Sequence, residues 1–165
     1  MERKIRAGGA AVTEGPIRLD EVWAFCTARL DDDDAYARAA SEGPWRYDPG
    51  KHWRRAGSSD YEEGVFAGPP GAQAMCIAGT GQTDDPQSMA DAAHIARHDP
   101  TRVLAEVAFK RQLLTEHKPE LQAAVKDREV TPRVVCRIDG DDCPFTQGLA
   151  ALYDDHPDYK ETWRP

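Results

Sequence analysis

Asp91, His94 and His98 stand at i, i+3 and i+7 in the run DAAHIARHDP. That spacing puts all three on one helical face, and two imidazoles with a carboxylate are the residue types of a divalent-metal site. Such a site would make the chain a metal-dependent enzyme. Ile95, however, stands where an HExxH metalloprotease carries its general-base glutamate,. His98 also abuts the expected helix end, where an imidazole interacts with the last carbonyls instead. The expectation is therefore a corner held by histidine hydrogen bonds, with the Asp91, His94, His98 enzyme as the alternative.

Other chemistries find less support. There is no GxSxG elbow, and only Cys143, directly before Pro144, sits at a helix start that would stabilise a thiolate,. The GTGQTD run from Gly79 to Asp84 lacks the Lys-Ser/Thr pair of a phosphate-binding loop and the third glycine of a dinucleotide fingerprint, so it reads as a plain connection,. Lys51, His52, Trp53, Arg54 and Arg55 make a cationic, aromatic group that reads as a surface loop rather than a nucleic-acid interface,. Asp31 to Asp34 are adjacent, so on a helix they point in different directions and cannot converge on one ion,. They read as a solvated face that frays or bends its helix.

The elements that position these residues follow from caps and periodicity. Asp85-Pro86 and Asp99-Pro100 each join an N-cap to a first-turn proline, so two helices meet at a corner near His98,. Leu19, Val22, Trp23, Cys26 and Leu30 make the apolar face of a first helix, and Val103, Leu104, Val107, Ala108 and Leu114 that of the longest, ending near His117,. Between them lie three β-prone runs, Trp45 to Tyr47, Val65 to Ala67 and Ala74 to Ala78, the last two joined by the turn Gly68-Pro69-Pro70-Gly71,. Glu120 to Lys126 reads as a short helix and Val130 to Ile138 as an extended segment. A helix with Phe145, Leu149 and Leu152 on its apolar face starts at Pro144, and Tyr159 and Trp163 pin the end of the chain,. The class is α+β: a small three-stranded antiparallel sheet packed by an N-terminal helix and a central Asp-Pro-cornered helix pair, with a C-terminal helical cover. Residues 1–16 read as a disordered tail and 17–165 as a single domain.

Twenty-nine acidic against 21 basic residues give a net charge of −8, which argues against nonspecific attraction to nucleic acid or to an anionic membrane,. Cys26, Cys76, Cys136 and Cys143 are too sparse for a disulfide scaffold and are expected to be reduced,. No apolar run has signal-peptide or membrane-span length, so a cytoplasmic protein is expected.

The acidic first helix, Gly43-Pro44-Trp45, ADAAHIARHDPTRVLAEV and the ending LAALYDDHPDYKETWRP together resemble a family of uncharacterised proteins from actinobacteria and their phages, a domain of unknown function. The resemblance covers nearly everything after residue 17. A looser one, limited to the Gly-Pro-Trp and the helix corner, links the chain to early-gene accessory proteins of lambdoid phages. Neither implies an activity. Proteins similar to the first family carry a His, then Cys-x-x-Cys-Gly, then Cys-Pro, which implies a zinc site of three thiolates and an imidazole. Here Asp139 takes the second cysteine's place, while Cys136, Cys143-Pro144 and His117 match the rest. A carboxylate is a harder and less common partner in structural zinc sites. The expectation is two reduced cysteines in a packed loop, with zinc held by His117, Cys136, Asp139 and Cys143 as the alternative. The expected function is a small soluble accessory or interaction protein with a protein partner and no catalysis. A zinc-stabilised binding module built on His117, Cys136 and Cys143 is the further alternative.

Overall fold

Helix α1 spans Leu19–Ala39 in the computed structural model, which describes residues 17–49, 62–69, 74–126 and 128–165. The expected tail and the Lys51 to Arg55 group lie outside the described residues. The helix does not break at Asp31 to Asp34. Like-charge repulsion there is offset by cations: Arg29 pairs with Asp32 at 2.9 Å and Arg38 with Asp34 at 2.6 Å. Arg111 reaches both Asp31 (2.6 Å) and Asp34 (3.2 Å). The Arg38 hydrogen bond holds the Asp34 carboxyl below the usual range, with burial opposing.

The described residues divide into two compact units, those within 26–116 and those up to 25 together with those from 117 onward. The first holds an antiparallel sheet in the order β1 (Arg46–Tyr47), β2 (Glu62–Ala67), β3 (Met75–Gln82). Val65 pairs with Ala78 in the antiparallel register expected of these two strands. β3 runs past the expected end at Ala78, so Gly79 to Gln82 is strand and not connection. Glycine makes this extension possible. A Cβ on Gly64, the partner of Gly79, would meet Ala78 O at 2.9 Å, and one on Gly81, at φ +136°, would collide with Ser88 Oγ.

Helix α2 (Pro86–Arg97) lies against all three strands and buries Ser88 and Ala92. Both expected caps are made. The Asp85 carboxylate accepts from Ser88 N at 2.8 Å, which draws its pKa down, and Asp99 accepts from Arg102 N at 2.9 Å to open α3 (Pro100–Glu116). Thr80 Oγ1 donates to Ser88 O at 2.8 Å and so ties β3 to the start of α2.

In the other unit, Pro119–Lys126 forms strand β4, which corrects the helix expected over Glu120 to Lys126. Its partner is β5 (Glu129–Cys136), and eight consecutive residue pairs run from Pro119↔Cys136 to Lys126↔Glu129. Leu, Gln and Ala favour helix in isolation, but pairing with the β-branched partner strand decides the outcome. Helix α4 (Pro144–Ala151) follows. Trp163 is buried with its ring 5.1 Å from that of Phe25, and Tyr159 lies against the same Phe25 at 6.2 Å, so both aromatics pin the chain end as expected. No described helix is long and apolar enough to cross a membrane.

Candidate metal centre

The β4–β5 hairpin decides where the late polar residues go. Pairing Pro119 with Cys136 brings His117, two residues before the strand, beside the end of β5. The chain then turns back on itself. Cys136 N donates to Gly140 O and Gly140 N to Cys136 O, with Gly140 at φ +79°, a conformation that costs glycine little,. This loop points Asp139 at Cys136, and Asp139 N donates to Cys136 Sγ at 3.4 Å. Cys143 is the residue at the N-cap of α4, with Thr146 Oγ1 donating to its carbonyl oxygen at 3.1 Å.

One donor atom from each of His117, Cys136, Asp139 and Cys143 lies within 4.8 Å of all the others. His117 Nδ1 is 3.0 Å from Asp139 Oδ2, 3.6 Å from Cys136 Sγ and 3.5 Å from Cys143 Sγ. Asp139 Oδ2 is 3.3 Å from Cys143 Sγ and 3.9 Å from Cys136 Sγ. Both sulfurs are buried in an apolar cluster with Leu19, Ile17 and Phe145. The His117 ring stacks on Phe145, centroids 4.5 Å apart, and the Asp139 side chain opens to solvent.

Each thiol donates toward Asp139 Oδ2. Burial pushes the Cys143 thiol up to about 11, and hydrogen bonds with the Cys136 and Asp139 side chains push the same way against those of Thr146. A divalent cation would replace those protons and turn two buried thiols into thiolates, whose negative charge it would balance. The Phe145 stack on His117 was not foreseen from the sequence, because it depends on the hairpin that places His117; the Asp139 N–H bond to sulfur was not foreseen either, because it depends on the turn closed by Cys136 and Gly140.

Asp91, His94 and His98 are not gathered in this way. Asp91 accepts from the Gln87 side chain at 2.8 Å. His98 Nδ1 donates to His94 O at 2.8 Å, and the two rings lie 4.3 Å apart. The His98 bond to a carbonyl of the last turn is of the kind expected at the helix end. Arg97 and Arg102 line the same groove as both histidines, and their charge opposes a cation there,.

The chain belongs to a family of unknown function, DUF6221, whose model matches residues 19–165. No curated protein and no solved structure matches it.

Proposed function

We propose that this chain is a small accessory or interaction protein without catalysis, whose C-terminal part is stabilised by a structural zinc ion held by His117, Cys136, Asp139 and Cys143. One observation carries the reading. Neighbouring donors around a tetrahedral zinc are separated by about 3.3 to 3.8 Å, given zinc–sulfur bonds of about 2.3 Å and zinc–nitrogen or zinc–oxygen bonds of about 2.0 to 2.2 Å. The five pairs that involve His117 Nδ1 or Asp139 Oδ2 span 3.0 to 3.9 Å, and the two sulfurs lie within 4.8 Å of each other. Two thiolates and an imidazole select zinc over magnesium or calcium, which prefer oxygen donors. Four protein ligands fill a tetrahedral shell and leave no position for substrate, so the role is structural.

The charge of −8 favours a protein partner over nucleic acid, and the composition fits a cytoplasmic protein,. An actinobacterial or phage association rests on the resemblance of the central and closing segments.

Metal analysis of protein purified without added metal tests the reading. About one zinc per chain is expected, and chelation should lower the melting temperature because metal binding is part of the folding free energy. Cys136→Ser should lose the metal while Asp91→Asn keeps it. Metal-free protein that takes up no added zinc and melts identically in chelator would refute the proposal.

A further inference from the structure

The β4–β5 hairpin carries an apolar face that extends well beyond its base, where Cys136 belongs to the candidate metal centre. Residues directly opposite each other in an antiparallel pair share a face, and alternate residues along a strand return to it. The pairs Pro119↔Cys136, Leu121↔Val134, Ala123↔Pro132 and Val125↔Val130 therefore lie on one side. All eight residues lack a charge, and all but Cys136 are apolar or proline. Glu120, Gln122, Glu129, Thr131 and Arg133 belong to the other side, where Arg133 pairs with Asp141 at 2.7 Å.

The apolar side is open. Leu121 is 73% exposed, Val125 71%, Val130 63% and Val134 38%. Among the described residues β4 and β5 pair only with each other, and a two-stranded ribbon is marginal until a third strand or a packed layer covers it,. Scattered apolar residues on a surface are ordinary, whereas a contiguous apolar sheet face marks an interaction site.

We propose that this face packs against the same face of a second copy of the chain, forming a two-fold dimer of stacked hairpins. The area fits. The exposed face offers on the order of 500 Å², so two copies would bury about 1,000 Å², the lower bound of a specific interface. The charge pattern admits a copy. Although the chain carries a net charge of −8, the hairpin's own acidic residues, Glu120 and Glu129, lie on the reverse side, so two such faces meet without carboxylates of either strand opposed,. Edge-to-edge pairing is disfavoured on β5, because Pro132 sits in mid-strand and proline keeps its nitrogen on the open edge, where it offers no N–H,. Packing face to face is an isologous contact and closes without leaving a surface for further copies. The inference stands without the zinc reading.

Sedimentation of the full chain, as purified, between about 1 and 100 µM tests it. The expected result is a mass approaching two chains at the upper concentrations. Leu121→Ser combined with Val130→Ser should weaken association on the order of a hundredfold, since both changes count twice across the two-fold axis. Gln122→Ser, on the reverse side, should leave the association unchanged. A wild-type mass of one chain throughout that range would overturn the proposal without reference to any variant. A dimer as tight in the double variant as in wild type would overturn it as well, by placing the contact elsewhere.

Discussion

Gly43 lies against the capping carboxylate of Asp99: a Cβ at position 43 would come within 2.8 Å of Asp99 Oδ2 and 3.0 Å of Thr101 Oγ1. Asp99 uses its other oxygen, Oδ1, to accept from Arg102 N at 2.9 Å, so the carboxylate cannot swing aside without loosening the start of α3. Two distant sequence features, the Gly-Pro-Trp and the Asp-Pro corner, thus share one contact. Gly43→Ala should cost about 1 kcal/mol, the worth of the cap it displaces, and Asp99→Ala a similar amount. The double variant should cost clearly less than the sum, because the added methyl has nothing left to displace. Chemical denaturation of the four proteins measures the difference, and strict additivity would separate the two features.

The metal-free protein should respond to alkaline pH through Cys143. Its thiol sits at about 11 in the folded chain against an ordinary value of 9.0, so the folded state holds the proton longer than the unfolded one. Stability from this source is complete below pH 9.0 and is lost as pH rises toward 11,. In chelator, the stability difference between wild type and Cys143→Ser should therefore shift against wild type over that window. An unchanged difference would mean that burial does not hold the proton.

Helix starts were legible from the sequence because capping is local: Asp85 and Asp99 act on backbone groups three residues ahead, and both do so in the structure. The β4 strand was not, since LQAAVK carries helix formers whose alternation matters only once β5 lies beside it,. The four donors were nonetheless named as the zinc alternative, from the resemblance and not from the fold. His117, Cys136, Asp139 and Cys143 were each recognisable as donors, but their convergence depends on the Pro119↔Cys136 pairing, a contact between distant residues that propensity cannot reveal. The run Gly79 to Gln82 failed for a similar reason, because glycines that suggest a loop in sequence here serve a close approach of two strands.

Phe145 should act as a positioning residue for the centre. Its ring stacks on His117 and holds the imidazole with Nδ1 toward the two sulfurs. Phe145→Ala should weaken zinc affinity by about 10- to 100-fold, as expected when a group that orients a ligand is lost. Competition with a chromophoric chelator on folded protein reads this directly. Unchanged affinity would mean that the hairpin alone orients the ring.

Arg128 occupies the tip of the hairpin at φ +70°, in the left-handed region that side chains other than glycine enter at a cost,. Arg128→Gly should relieve about 1 kcal/mol of that strain, offset in part by glycine's greater freedom in the unfolded chain. A higher denaturation midpoint with an unchanged slope is the expected outcome. A lower midpoint would show that the arginine side chain contributes more than its backbone costs.

The hairpin is a ladder read from its base, where Pro119 faces Cys136, to its tip, where Lys126 faces Glu129. Every donor of the proposed metal centre lies at or below the first rung. Lengthening or opening the tip therefore leaves the donors where they are, and the entropy of a longer connection grows only with the logarithm of its length. The tip is the natural place for a grafted peptide, for new chain ends in a circular permutant, or for drift in length among descendants of this sequence. Insertions at the base have no such freedom, because a one-residue slip there would turn Cys136 to the opposite face and take the centre apart.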